Sequence, residues 1–541
     1  MFYRKRFQIT VLLSGFFLFF CGVSLLAAPP KSHMCNRPVS MNIDYTEFID
    51  INRILMFVAN DGVLGCDLGN VFGNDYGTYF PYGGDTSRIS SGAQVNSPLY
   101  SSGLWIGGKV NGETRISATE YFSDFWPGPM EGGTYDPDGN ADPAYRVYKL
   151  YCDSTYSNPN QDYLDWPVEQ GAPVNGQGYP FMEGDQMLWC VYNDANPNSH
   201  QNDAGRTAPL GIEVRQTVYG LDRLGNEGNV LFINFEILNK GGNVIDSMYI
   251  GFFVDPDLGG SGDDLIGCTP EENLFFCYNS TNNDQYYRTT PPALGFRLIA
   301  GPLVPSVGDT ATYYHRRVPN YRNMDLSVLR VYVNGTDPHN VDQSYNMLKG
   351  LNDDGSVYFD NEGHETKLMY NSDPVTSTGN LDPVADDKRL IASCGPITMN
   401  PGDSQYVLIC MAVGQGTNRL TSITAMRGIF NQIEGYPTDV ADQPEQNLPA
   451  TFTLSQNYPN PFNPSTHISY AIAEKTHVRL EVFNILGRRI ATLVDKEQSA
   501  GDYHEVWTGT DAQGDPVASG IYFYRLTAGQ QTATRKMILL K

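Results

Sequence analysis

Apolar and polar residues alternate with a period of two through much of this chain, and turn-forming residues keep interrupting the alternation. Ile468, Tyr470 and Ile472 fall on one face of the stretch 468–472, and Val478, Leu480 and Val482 on one face of 478–482. An extended strand points successive side chains to opposite faces, so such a repeat gives it one buried and one wet side. Gly211–Tyr219, Val230–Asn239 and Ser247–Asp255 alternate in the same way between Gly, Asn and Asp turns. The run LFINFEILNKGGNVIDSMYIGFFVD predicts two antiparallel strands around the loop Lys240-Gly241-Gly242-Asn243. Ser404–Val413 follows the turn Asn400-Pro401-Gly402-Asp403 and predicts another strand. With 54 Gly, 34 Pro and 34 Tyr in 541 residues the chain is turn-rich, aromatic and helix-poor, and the fold class expected is all-β. One convincing helix stands out at Ser422–Ile433, where Ile423, Met426, Ile429, Phe430 and Ile433 recur at helical spacing.

The same pattern divides the chain. Arg4, Lys5 and Arg6 precede an apolar run from Val11 to Ala28 that closes on Ala27-Ala28, as in a Sec-type signal peptide over 1–28. The run approaches the length of a short membrane span, so an uncleaved anchor is the alternative. Leu18-Phe19-Phe20 ahead of Cys21 are too bulky for a lipoprotein signal, and no other stretch could span a membrane. A polar, proline-containing linker, Glu434–Pro449, separates a β-rich body at 29–433 from a C-terminal unit at 450–541. The body is expected to form one large or two smaller β-sandwiches, with any split near Asn202–Pro209. The C-terminal unit has room for six or seven short strands, again a sandwich. Nine cysteines become eight without Cys21, an even count compatible with disulfides in an exported chain. Cys268/Cys277 and Cys394/Cys410 are the pairs closest in sequence, and buried free thiols are the other reading.

The charge limits the chemistry. Sixty acidic and 36 basic residues leave −24, which offers no basic stripe to phosphates and argues against nucleic acid. It suits calcium and solubility outside the cell. The densest polar group is Asp255-Pro256-Asp257-Leu258-Gly259-Gly260-Ser261-Gly262-Asp263-Asp264. Hard cations want several oxygens in a small space, and glycines let backbone carbonyls join them, so Asp255, Asp257, Asp263 and Asp264 are candidate calcium ligands. The loop is not an EF-hand, since its twelfth position is Ile266; a solvated acidic turn is the alternative. A second candidate loop carries Asp136, Asp138 and Asn140, with oxygens at alternate positions. Asn193-Asp194 with His200 and Asp203 reads as turn chemistry. There is no G-x-S-x-G, H-E-x-x-H, Walker or dinucleotide signature, and the eight histidines are scattered. Trp105, Trp126, Trp166 and Trp189 read as core or loop packing ahead of a sugar-stacking face.

Several motifs in the C-terminal unit recur in a known order. They are LPATFTLSQNYPNPFNPSTHISYAI, VRLEVFNILGRRIATLVD, SAGDYHEVWTGTDAQGDPVASGIYFYRL and the basic-apolar end ATRKMILLK. This unit resembles the C-terminal sorting module of type IX secretion cargo and is similar to the Ig-like domain of the flagellar hook-capping protein. The resemblance implies an Ig-like sandwich, the type IX secretion machinery as partner, and a secreted or outer-surface location. In the body, LYSSGLWIGGKVNGETRIS, GDQMLWCVYND, APLGIEVRQTVYG, DPDLGGSGDDLIGC and CGPITMNPGDSQ resemble large exported proteins with the same tail, which implies architecture and no mechanism. The reading that follows is an exported protein with a structural or adhesive body. The alternatives are an extracellular glycosidase or peptidase, or a carbohydrate-binding protein with surface polysaccharide as partner. Carboxylate pairs for glycoside hydrolysis are set by separation in space, which sequence does not give.

Overall fold

The computed structural model describes residues 46–67, 77–82, 96–154, 159–223, 225–433, 452–454, 456–457, 460–472, 476–498 and 501–540. The expected signal peptide at 1–28, Cys35, the expected linker 434–449 and Tyr458-Pro459 lie outside them.

The body is built on two antiparallel sheets. The first, of eight strands, runs Thr46–Ile49, Met56–Ala59, Leu64–Gly65, Ser101–Val110, Ile245–Asp255, Lys388–Met399, Val328–Val333, with Glu113–Ala118 also paired to Ser101–Val110. The second, of nine, runs Asp264–Thr269, Leu274–Asn279, Ala293–Ala300, Ser404–Gly414, Val230–Asn239, Ile212–Gly220, Gln186–Asn193, Trp126–Pro127, with Tyr148–Tyr151 also paired to Gln186–Asn193. Each sheet contains strands from both before and after 202–209, the earlier strands at one end and the later strands at the other.

Period-two alternation explains the layering. Ile250, Phe252 and Val254 join the same core as Ile233, Phe235 and Ile237 of the second sheet. Their neighbours Tyr249 and Phe253 belong to a separate cluster on the other face, with Trp105, Ile391, Tyr345 and Leu348. A helix, Val341–Leu348, contributes the last two and caps that face. The second sheet is covered in the same way by Arg419–Gln432, whose Ile423, Met426, Ile429 and Phe430 are buried in one cluster with Leu408 and Cys410 of Ser404–Gly414. Asn418 caps this helix through the N–H groups of Leu420 and Thr421, and Thr421 returns a bond to the Asn418 N–H, a capping box. Sequence periodicity found this helix. It missed Val341–Leu348, because two turns carry too few apolar repeats to register.

Two expectations change. Val230–Asn239 and Ile245–Asp255 are not a hairpin: the first pairs with Ile212–Gly220 and Ser404–Gly414, the second with Ser101–Val110 and Lys388–Met399. The loop at 240–244 crosses from one sheet to the other, so both apolar faces turn onto a shared core instead of lying side by side. The proposed cysteine pairs are not bridges either. Cys268 and Cys277 lie on adjacent strands but out of register, Cys268 opposing Phe275 and Cys277 opposing Ile266, and both are free. Cys394 and Cys410 are free thiols in different sheets and different clusters.

The C-terminal unit forms its own two-sheet sandwich. Thr453–Leu454, Thr466–Ile472 and Gly501–Trp507 make one sheet; Arg489–Gln498, Thr476–Asn484, Gly520–Ala528 and Gln531–Leu539 make the other. Ile468, Tyr470, Ile472, Val478, Leu480 and Val482 are all buried in one core, as their spacing predicts. Asn484 turns the chain toward Gly487, accepting the N–H groups of Leu486 and Arg488 on its side chain. Gly487 sits at φ +75°, where a side chain is disfavoured.

Candidate functional site

The first-sheet register assembles the main polar site. Val254 opposes Leu390, which brings Asp255, at the end of its strand, to the same edge as Asp387, just ahead of the next. Asp257 follows in the crossing loop at φ +40°. One carboxylate oxygen each from Asp255, Asp257 and Asp387 lies within 4.8 Å of the other two. Asp255 is fully buried. Its Oδ2 accepts the Tyr121 hydroxyl at 2.7 Å and faces Arg389 at 3.6 Å. Its Oδ1 is buried without a hydrogen-bond partner. Arg389, itself buried, also faces Asp387 at 3.1 Å and Asp337 at 3.8 Å. Asn334 donates its amide to the other Asp387 oxygen at 2.8 Å. Burial pushes the Asp255 and Asp257 carboxyls up, and the neighbouring carboxylates add to the rise while Arg389 opposes it.

Of the four residues expected at this loop, Asp255 and Asp257 join Asp387 in one close group of carboxylates, and Asp263 and Asp264 are not members of that group. Asp263 accepts the Asn279 amide at 2.9 Å, and Asp264 accepts the Leu258 N–H at 3.0 Å. These bonds hold the loop's shape. In the second candidate loop, Asp136 accepts the Asp138 N–H at 3.0 Å and the Tyr145 hydroxyl at 3.1 Å, and its carbonyl accepts the Trp126 indole at 2.8 Å. Asp136 and Asp138 belong to no close group of three His, Cys, Asp or Glu among the described residues. Asn140, part-exposed, lies in the same turn segment. Sequence reasoning missed Asp387 and Arg389. Their run, Asp386-Asp387-Lys388-Arg389, is dense in charge, but only strand pairing shows which acids it meets.

A second buried polar group lies around Asp124, Asp194 and His200. Asp194 accepts the N–H groups of Leu210, Gly211 and Ile212 and the Ser117 hydroxyl, all between 2.7 and 3.0 Å. Asp124 accepts the N–H groups of Ala118 and Asn202, each at 3.0 Å. Burial pushes the Asp124 carboxyl up to about 6, against the pull of His200 and these two bonds. Glu120, part-exposed as a residue but enclosed at its carboxyl, is raised to about 8 by burial, with Asp337 and Asp124 adding to it. The tryptophans form no common face: Trp105 lies outside the first sheet, and Trp166 and Trp189 meet at 5.9 Å outside the second.

In the C-terminal unit the lead-in motif is strapped into the sandwich. Asn457 donates its N–H to the Tyr524 hydroxyl at 2.7 Å and its amide to Thr466 at 2.8 Å. Asn460 accepts the Ile538 N–H, the Phe462 N–H donates to the Ile538 carbonyl on the final strand, and the Phe462 carbonyl accepts the N–H of Leu540 just after it. The Phe462 ring is buried 5.6 Å from Trp507. Residues 456–540 match the family of secretion system C-terminal sorting domains. The C-terminal unit is a type IX sorting domain. The chain is therefore an exported protein of the cell surface or extracellular space, and the sorting domain implies the secretion machinery as a partner. The whole chain matches no curated protein. Among solved structures, FlgD from Xanthomonas campestris, a hook-capping protein, is 24% identical over 17% of this chain and 68% of its own, with a TM-score of 0.13. A polysaccharide lyase is 8% identical over 92% of this chain and 47% of its own, at 0.24. PorZ, a surface component of the type IX secretion system of Porphyromonas gingivalis, is 10% identical over 69% and 46%, at 0.14. No helix among the described residues is long and apolar enough to cross a membrane.

Proposed function

We propose that the body is a non-enzymatic sandwich for surface structure or adhesion, carried outward by the sorting domain. The observation that supports this is how its buried carboxylates are used. Asp194 spends both oxygens on three backbone N–H groups and a hydroxyl, and Glu213 accepts the Met130 N–H while facing Lys240 at 2.6 Å and Arg215 at 3.2 Å. Groups so committed tie loops to strand ends and are not free to move protons. Binding to a surface polysaccharide fits this reading. The test is the purified full chain on glycan arrays and on whole cells, in calcium-containing buffer. Saturable binding without turnover supports it; turnover of any glycan or peptide overturns it.

One observation favours a hydrolase as second reading. A carboxyl held protonated near neutral pH, as Glu120 is by burial and acidic neighbours, can act as a general acid. Glycan turnover lost in Glu120→Gln would establish it.

A further inference from the structure

We infer that Asp255, Asp257 and Asp387 form a calcium site that ties two neighbouring strand ends of the first sheet to the loop crossing into the second. This is independent of whether the body binds or hydrolyses.

Three features converge. Two oxygens on one calcium, each about 2.3–2.6 Å from it, can be no more than about 5 Å apart. All three pairs here meet that limit, at 4.8 Å or less. Second, Asp255 Oδ1 is buried without a hydrogen-bond partner among the described residues, although the other oxygen is engaged by Tyr121 and Arg389. An orphaned, fully buried carboxylate oxygen is costly unless something outside the chain satisfies it. The half-buried Asp257 side chain faces Asp255 and Asp387 and has no hydrogen bond or ion pair among the described residues. Third, the charges do not balance. The guanidinium of Arg389 faces the carboxylates of Asp255, Asp387 and Asp337, and Asp257 adds a fourth. A divalent cation offsets most of that excess.

The donor set selects the metal. It is all oxygen, without the thiolate or imidazole that zinc or copper prefers. Carboxylates on a strand end, a loop and a second strand suit the irregular shell of calcium better than the strict octahedron of magnesium. The position gives the site a role. Ile245–Asp255 and Lys388–Met399 are hydrogen-bonded neighbours, and the chain after Asp255 leads to Asp264–Thr269 in the other sheet. A cation there fixes both strand ends and the crossing loop at one point.

The experiment is titration calorimetry of the chelator-stripped full chain with calcium chloride, and separately with magnesium chloride. One calcium site is expected, with Kd in the range of about 10⁻⁴–10⁻³ M found for extracellular modules, together with a higher melting temperature in calcium. Asp257→Asn, at a side chain with no partner to lose among the described residues, should weaken binding at least tenfold, and Asp138→Asn should leave it unchanged. Absence of calcium heat from the folded wild-type chain overturns the proposal, and that measurement does not depend on any variant folding. Magnesium-only binding overturns the choice of metal. Wild-type affinity in Asp257→Asn, or loss of binding in Asp138→Asn, overturns the location.

Discussion

Leu348 rests directly on Gly251. A Cβ built on Gly251 would stand 2.6 Å from Leu348 Cδ2, and one on Gly107 of the adjacent strand 2.7 Å from Leu348 Cδ1. The helix Val341–Leu348 thus reaches the first sheet only because two paired strands present glycine there. Gly251→Ala should overpack this contact and lower stability by about 1–3 kcal/mol. Urea denaturation followed by tryptophan fluorescence checks it, and a Leu348→Ala background should recover part of the loss.

Gly428 gives the opposite sign. It lies within Arg419–Gln432, and an added Cβ there meets nothing within 4 Å. Gly428→Ala should stabilise the body by about 0.5–1 kcal/mol, since alanine loses less backbone freedom in a helix. The melting temperature by calorimetry should rise.

Asp194 holds the turn that leads into Ile212–Gly220 by three backbone N–H groups. Asp194→Ala strands those donors in a buried site, and each unsatisfied group costs about 1–3 kcal/mol. A loss of about 3 kcal/mol or more is expected in denaturant titrations, while exposed Asp203→Ala stays near zero.

The Asp124 carboxyl titrates near 6 in the folded protein instead of its ordinary 3.8, chiefly through burial, with His200 and two backbone N–H groups pulling down and Asp194 pushing up. A raised carboxyl binds its proton more tightly folded than unfolded. Its contribution is therefore present at low pH and is lost as pH climbs from about 4 through about 6, by up to about 3 kcal/mol. The difference in stability between the wild type and Asp124→Asn, measured across pH 4 to 7, should show this slope. A flat difference would remove the carboxyl from the account.

Phe462 anchors the lead-in of the sorting domain against Trp507. Phe462→Ala should cost that unit about 3–5 kcal/mol. In a host with type IX secretion, surface delivery should fall in step, read by protease shaving of whole cells.

What the sequence settled by itself is local. Period-two alternation at Val230–Asn239 and 478–482 named strands, because a side chain's face follows from its position alone. The 3.6-residue repeat named a helix at Ser422–Ile433, observed as Arg419–Gln432, and the ordered motifs from Leu448 onward named the sorting domain. Pairing is not local, and only the tertiary structure decided it. Phe235 and Phe252 were expected on one hairpin, yet their rings meet at 6.1 Å across the core from opposite sheets. A strand whose apolar face must be covered can find that cover beside it or opposite it, and its own sequence is the same in both cases. The acidic site follows the same rule. Asp255 and Asp257 are close in the chain, but Asp387 joins them only because Val254 pairs with Leu390. The register that brings Asp387 there is set by the burial of the whole sheet.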